Sequence, residues 1–334
     1  MKEPVSLLGF ILTFILASPL AQASEQTSVP PESNLASSTL AYLFTTDLIL
    51  QSELDLSYEE HRRDLFWPYD NEQDQAFDYG FKANLFNGQN IKEHYQGIKI
   101  AGEMGRKFSP CWYSHFNLGL HLLNNSNTNS MSSTPYVEGE VSGILSDPLN
   151  AHVKINQDYI YQDLIQPGGV DSSLRATSFY LDLKYKISSS FHANFASSLR
   201  AFSDTNSKMS LDTSLMYGIS TGVPWIWLGV GYEYLSFSFR QTGYWSPTHF
   251  YSVGPRFEGE FPIINQLNFG VGLNVNHFGE ESASPGNGYF GSLKLQYGNR
   301  NEFNLALNYI RILAQQNSNP WSSNEFMLAV NSPI

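Results

Sequence analysis

Apolar and polar residues alternate along most of this chain with a period of two. In "SKMSLDTSLMYGIS", Met209, Leu211, Thr213, Leu215, Tyr217 and Ile219 share one face. In "LNFGVGLNVNH", Leu267, Phe269, Val271, Leu273 and Val275 oppose Asn268, Gly270, Gly272, Asn274 and Asn276. In "ATSFYLDLKYKI", Thr177, Phe179, Leu181, Leu183, Tyr185 and Ile187 oppose Asp182, Lys184 and Lys186. Period 2 held over about ten residues is the signature of a β-strand. No stretch after the first 23 residues shows a helical period. Strands are predicted over 45–58, 76–86, 95–106, 112–124, 134–145, 151–158, 173–187, 191–203, 207–220, 225–238, 248–261, 267–278, 288–298, 302–313 and 323–331.

The runs approach the 9–11 residues that a tilted membrane strand needs. Their polar face is rich in Gly, Asn, Ser and charge, which suits a wet lumen better than a packed core. Tyr, Phe and Trp gather near strand ends, where membrane interfaces would lie. In lipid only a closed barrel satisfies every backbone group of a sheet. The predicted fold is therefore all-β, a transmembrane antiparallel β-barrel.

The links between strands alternate in size. "RKFSP", "SDPLN", "SSS", "TGVP", "PIINQ" and "GNRN" are short. "NGQNIKEH", "NSNTNSMSS", "YIYQDLIQPGGVDS", "RQTGYWSPT", "EESASPGNG" and "AQQNSNPWSS" are longer, and "DTN" alone breaks the contrast. In outer-membrane barrels short turns are periplasmic and longer loops extracellular. That assignment requires one more strand near the start, either in Ala36–Phe44 or inside the link "EEHRRDLFWPYDNEQDQ". Either choice gives about 16 strands with both termini periplasmic.

The start, "MKEPVSLLGFILTFILASPLAQASEQ", reads as a secretory signal peptide over residues 1–23, with cleavage expected after Ala23. A polar periplasmic leader, 24–35, and an outer-membrane barrel, 36–334, follow. The expected location is the outer membrane of a Gram-negative bacterium, with its lipid as the first partner. A formal net charge of −12 argues against nucleic acid. Cys111 is the single cysteine, so no internal disulfide and no cysteine metal site is expected.

Chemistry is sparse. His115, His121, His152, His192, His249 and His277 are scattered, and none lies in a His-x-Ser-Asn pattern. No ligand spacing suggests a metal, and neither an enzyme nor a cofactor is expected. Two carboxylate pairs, Glu138/Glu140 and Glu258/Glu260, lie on the face opposite Val137/Val141 and Phe257/Phe261. Strand parity sends them to the lumen together with Asp182, Lys184 and Arg256. They read as wall charge that keeps the bore wet, or as a selectivity surface with Arg256 neutralising part of it beside Glu258.

The stretch "GYWSPTHF", Gly243–Phe250, keeps Tyr244, Trp245 and Pro247 in a link between two strands. It resembles a Tyr-aromatic-Ser-Pro motif in the C-terminal outer-membrane barrels of exopolysaccharide export porins of the cellulose and poly-N-acetylglucosamine secretion type. "NQDYIYQDLIQPGGV", Asn156–Val170, is similar to a segment before that group's mid-barrel strands. "RAFSDTNSKMSL" resembles its Ser-Asp-Gly-Asn turn through Ser203, Asp204 and Asn206, with Thr205 where the group often has Gly. The likeness spans about residues 150–275, and no 34-residue helical repeat precedes it. It implies a conduit for a polysaccharide that works with a separate periplasmic scaffold protein. From the residues alone, Tyr244 and Trp245 read as interface-belt aromatics stiffened by Pro247, or as a loop stacking on sugar rings. A porin-like conduit leads. A non-conducting accessory barrel with a plugged lumen is the alternative, and Tyr180 and Phe290, both inward by parity, would narrow the bore. An outer-membrane hydrolase fits less well.

Overall fold

The period-2 runs form sixteen strands: β1 Leu35–Thr45, β2 Leu50–Arg63, β3 Ala76–Gln89, β4 His94–Ser109, β5 Trp112–Asn125, β6 Ser130–Ser146, β7 Leu149–Tyr159, β8 Arg175–Ser188, β9 Phe191–Phe202, β10 Ser207–Ser220, β11 Trp225–Phe237, β12 Phe250–Ile264, β13 Leu267–Glu280, β14 Ala283–Gly298, β15 Asn304–Gln316 and β16 Asn319–Pro333. The computed structural model describes residues 35–45, 50–63, 76–89, 94–109, 111–126, 128–160, 173–241, 244–264, 266–281, 283–298, 303–316 and 319–333. The expected signal peptide and almost all of the leader fall outside them, as does most of the 156–170 segment.

Every strand pairs antiparallel with its sequence neighbours, and β1 pairs with β16 from Leu35↔Pro333 to Thr45↔Ser323 to close the barrel. The strand required by parity is therefore β1, the first of the two candidate segments. The strand predicted at 45–58 lies at Leu50–Arg63 instead. Even strand number brings both ends of the barrel out on one side.

The size contrast between links takes a different form from the one expected. β14 begins at Ala283, β15 runs to Gln316 and β16 begins at Asn319. Much of "EESASPGNG" and "AQQNSNPWSS" is thus strand that overhangs the barrel. The hairpin continues there because cross-strand hydrogen bonding outweighs weak local propensity. Two long connections, 160–174 and 238–249, remain on that side, here called the loop end. The opposite, turn end carries short links such as 147–148 and 189–190, together with the longer connection 64–75 between β2 and β3.

Parity separates two environments. Outward residues include Leu215, Leu228, Val230, Leu273, Leu293 and Leu307, all exposed. Exposed Tyr42, Tyr232, Tyr251 and Tyr289 lie toward the loop end, and exposed Tyr185, Tyr217 and Tyr297 near the turn end. An apolar band between two aromatic girdles is the outer surface of a membrane barrel. Among the described side chains, Arg311 is the one charged group at an outward position away from a strand end. A lipid-facing Arg costs about 2–4 kcal/mol at the bilayer midplane and about 0–1 kcal/mol near the interface.

The closing seam can be tested with inward Ala41 and Met327, which are directly paired. Opposed Cβ atoms lie about 4.5–5.5 Å apart, close to disulfide range. In a Cys111→Ser background, Ala41→Cys with Met327→Cys should cross-link on oxidation. The unboiled protein should also run faster on a gel than the boiled one. No cross-link in folded protein would place the sixteenth strand elsewhere.

Candidate functional site

The candidate site is the lumen, and its two ends differ. On β8, Ala176 and Ser178 are buried, whereas Tyr180, Asp182 and Lys184 nearer the turn end are half-buried. On β12, Phe250 and Ser252 are buried, whereas Arg256, Glu258 and Glu260 are half-buried. On β14, Phe290 and Ser292 give way to half-buried Lys294 and Gln296. The same gradient holds on β6 from Thr134 to Ser142. On these strands the lumen is a cup, more open toward the turn end and filled toward the loop end, whereas on β9 and β10 buried His192, Ser214 and Met216 also fill it near the turn end.

The filling is apolar. Phe202, Leu235, Phe237, Phe250, Phe278, Phe290, Ile312 and Ala314 form one buried cluster with Tyr244 and Trp245. Phe86, Tyr95, Leu123 and Tyr159 form a second cluster on the opposite arc. The connection from β11 to β12 turns inward and contributes the cluster's centre. Tyr244 and Trp245 are only 3% and 5% exposed. Tyr244 packs between Phe202 and Phe237 at ring-centroid distances of 5.8 and 5.9 Å, and Trp245 meets Phe250 edge-on at 5.3 Å. These two rings are buried inside the barrel and so stand neither in the outer belt nor on an open surface.

Side-chain hydrogen bonds fix the loop to the β9–β10 turn. The Tyr244 hydroxyl donates to Asp204 at 3.0 Å and accepts from Asn206 Nδ2 at 2.8 Å. Gln241 also donates to Asp204, at 3.1 Å. Asn206, almost fully buried, donates to the Phe239 carbonyl at 3.0 Å. The Pro247 carbonyl accepts from the Phe237 amide at 2.9 Å, a bond that a proline can still make. Trp245 Nε1 donates to Glu280 at 3.2 Å, and Arg240 holds the other oxygen of that carboxylate at 3.2 Å. Burial pushes the Tyr244 phenol up, so it stays a neutral donor. Thr205 sits at φ 72°, the left-handed region that favours Gly and is strained for a β-branched residue. Ser203 accepts from the Arg175 amide at 3.1 Å, which ties the turn to β8. Two motifs that lie apart in sequence are thus one hydrogen-bonded unit.

Below this layer lies the charged wall. Glu138 is paired with Lys154 at 2.5 Å and accepts from Asn117 at 3.0 Å. His152 bridges Glu140 at 3.4 Å and Asp182 at 3.2 Å, with His115 at 3.9 Å from Glu140. Arg256 grips Asp212 with two bonds of 3.0 and 2.7 Å, passing over Gly231, where any Cβ would collide with the guanidinium. The direct hydrogen bonds of Arg256 go to Asp212, because Gly231 on the intervening strand opens the path, while its charge still acts on Glu258 beside it. Glu260 accepts from Trp225 Nε1 at 3.1 Å. Lys184 and Glu258 face the cup with no hydrogen bond or ion pair to another described residue. Most of the first carboxylate pair's charge is therefore matched locally, and the second pair carries more of the field.

Sequence reasoning missed a buried group on β4, β5 and β7. His121 Nδ1 lies 2.5 Å from Asp158, which also takes Lys99 at 3.2 Å, and Lys99 stands over the Tyr136 ring. Asn84 likewise joins Glu53 and Asp55. Inward parity of each residue was visible, but the pairings join strands 29 to 59 residues apart. Among the described residues, no group of three or more His, Cys, Asp or Glu is arranged to hold a metal ion.

No protein-family model and no curated protein sequence matches the chain. Among solved structures it is similar to a bacterial polysaccharide outer membrane secretin, with a TM-score of 0.67 and 8% identity over 91% of this chain and 99% of that one. Pseudomonas aeruginosa OccK5 (OpdH) follows at a TM-score of 0.47 and 11% identity, over 91% of this chain and 98% of that one. At 8% identity the likeness to the first of these is one of fold alone.

Two substitutions probe the mouth in opposite directions. Tyr244→Phe removes both hydroxyl contacts and leaves buried polar partners unmet, a loss of about 1–3 kcal/mol. Limited proteolysis should then cut the 238–249 connection faster while the heat-modifiable barrel persists. Thr205→Gly relieves left-handed strain of about 1–2 kcal/mol and should slow that cleavage. Unchanged cutting in both variants would show that the turn does not hold the loop.

Proposed function

We propose that the chain is a porin-like conduit of the outer membrane whose loop end faces the cell exterior and whose outer mouth is held shut by the 238–249 connection. The observation that carries this reading is the nature of the closure. A wet, charged cup runs up to an apolar layer whose centre is a surface connection, not a wall strand. Such a closure opens by moving Tyr244 and Trp245 while the β-ladder stays whole. The aromatic girdles and the exit of both barrel ends on the turn side support an outer-membrane setting with a periplasmic turn end.

Export of an exopolysaccharide is the finer reading. It is supported by the resemblance at Tyr244–Pro247 and Ser203–Asn206, and by the fold similarity to a protein whose name specifies polysaccharide. In this reading polymer enters the cup from the turn end, where a separate periplasmic scaffold would dock. Glu258, Glu260 and Lys184 set the field, while Glu138, Glu140, Asp182 and Arg256 have charged or imidazole partners in the wall. The buried apolar layer favours a second reading, a non-conducting accessory barrel.

Planar-bilayer recording separates the two. The wild type should be mostly closed. Replacing 241–247 by a short Gly-Ser link, or making Tyr244→Phe with Trp245→Ala, should raise open probability roughly tenfold, since about 1.4 kcal/mol shifts a two-state balance by that factor. Silence in every opened variant would establish the accessory barrel. In the opened background, Glu258→Gln with Glu260→Gln should reduce cation preference more than Glu138→Gln with Glu140→Gln, because the latter carboxylates already have cationic or imidazole partners. The reverse order would mean that the second pair does not line the path. A tag at Asn129 should be reached on intact cells and one at Gly222 should not, and inverted labelling would overturn the orientation.

A further inference from the structure

Outside the lumen, an ordered strip crosses the lipid-facing side of β14, β15, β16 and β1. The strand registers align Gly291, Arg311, Asn324 and Phe44 in one row. The next row toward the turn end is Leu293, Tyr309, Phe326 and Tyr42, and the one beyond is Leu295, Leu307, Leu328 and Leu40. Chemistry thus changes row by row, from cation and amide, through rings, to aliphatic chains.

The upper row has the features of an anion site. Arg311 is exposed and makes no hydrogen bond or ion pair with another described residue. Beside it Gly291 leaves the wall open, since a Cβ there would meet nothing within 4 Å. Tyr309 donates its hydroxyl to Asn324 Oδ1 at 2.8 Å, which orients that amide and leaves its nitrogen free to donate. Rings continue from there: Tyr309 lies 4.7 Å from Phe326, Phe326 stacks on Phe44 at 6.3 Å, and Phe44 is 6.1 Å from Tyr42. The row on the loop side is Tyr289, Leu313 and Ser322, so the cation lies one row inside Tyr289 and Leu313. An arginine in that position requires an anionic partner or a path to the interface.

We propose that this strip binds a phosphorylated glycolipid of the lipid A type from the loop-end leaflet. Its phosphate meets Arg311 and the Asn324 amide, and its acyl chains lie over the leucine row. The choice of leaflet rests on the outward orientation of the loop end given above. A second copy of the chain is the poorer occupant. The described side chains of the strip include no carboxylate, and a twofold contact there would oppose two arginines.

Native mass spectrometry of the purified barrel tests this with three probes: bisphosphorylated lipid A, the same lipid after dephosphorylation, and phosphatidylglycerol. The wild type should retain one lipid A and hold the other two roughly tenfold less, the value of a charge-assisted contact. Arg311→Leu should lose lipid A by roughly tenfold, and Arg311→Lys should keep most of it, with heat-modifiability confirming that both fold. Equal retention by wild type and Arg311→Leu would overturn the site. Equal retention of dephosphorylated lipid, or of phosphatidylglycerol, would overturn the phosphorylated glycolipid as occupant. In a Cys111→Ser background, Arg311→Cys dimers formed in membranes would assign the strip to a second copy instead. None of these readouts depends on current through the lumen, so a silent barrel would leave the lipid result standing. Inverted surface labelling would remove only the choice of leaflet.

Discussion

Everything in this molecule depends on closing the backbone hydrogen-bond ladder. A sheet edge in hydrocarbon leaves amide and carbonyl groups unmet, each at several kcal/mol. The β1–β16 pairing removes both edges at once. β1 is a modest strand by composition, with Ser37, Ser38 and Thr39 at its centre-left and aromatics only at Tyr42 and Phe44. It forms because both neighbours need it. Once the ring is shut, side-chain parity has a fixed meaning on every strand, and a one-residue slip would reverse it.

Inside the ring that parity concentrates ionisable groups on one small surface, and the wall resolves them by pairing across strands. Arg256 reaches Asp212 because Gly231 removes the intervening side chain. Lys154 meets Glu138, and His152 spans Glu140 and Asp182. An isolated charge facing a narrow lumen is poorly solvated, so paired charges are the stable way to keep the wall polar. The same logic explains why Arg311 stands out on the other face, where parity supplies no partner.

Strand number, closure and the facing of each wall residue were legible in the sequence, because period 2 is a strictly local signal. Glu138, Glu140, Glu258 and Glu260 could be placed on a face that way. Their partners could not, since pairing depends on register between strands far apart in sequence: Asp212 and Arg256 are 44 residues apart. Loop lengths were misjudged where polar stretches such as Ala283–Asn287 continue the hairpin as overhang. The direction of Tyr244 and Trp245 was beyond sequence reasoning for a different reason. A connection has no period, and only the inward rings of Phe202, Phe237 and Phe250, contributed by three strands, give that segment somewhere apolar to go.

On the proposed reading the barrel has two closures, and they differ in kind. The wall is shut by a continuous ladder whose rupture would expose backbone to lipid along a whole strand. The mouth is shut by rings and by side-chain bonds between Asp204, Asn206, Tyr244 and Gln241, each with a net worth of about 0.5–1.5 kcal/mol where water can replace it. On that reading those contacts can part while the ladder holds, because regions of one fold open at different free energies. Thr205 lowers their stability further, since its left-handed backbone opposes the turn that carries Asp204 and Asn206. A chain needing only a plug could fill its lumen from the wall strands, as Met216 and Ile312 do. A plug made from a connection, as proposed for Tyr244 and Trp245, would be released without disturbing the fold.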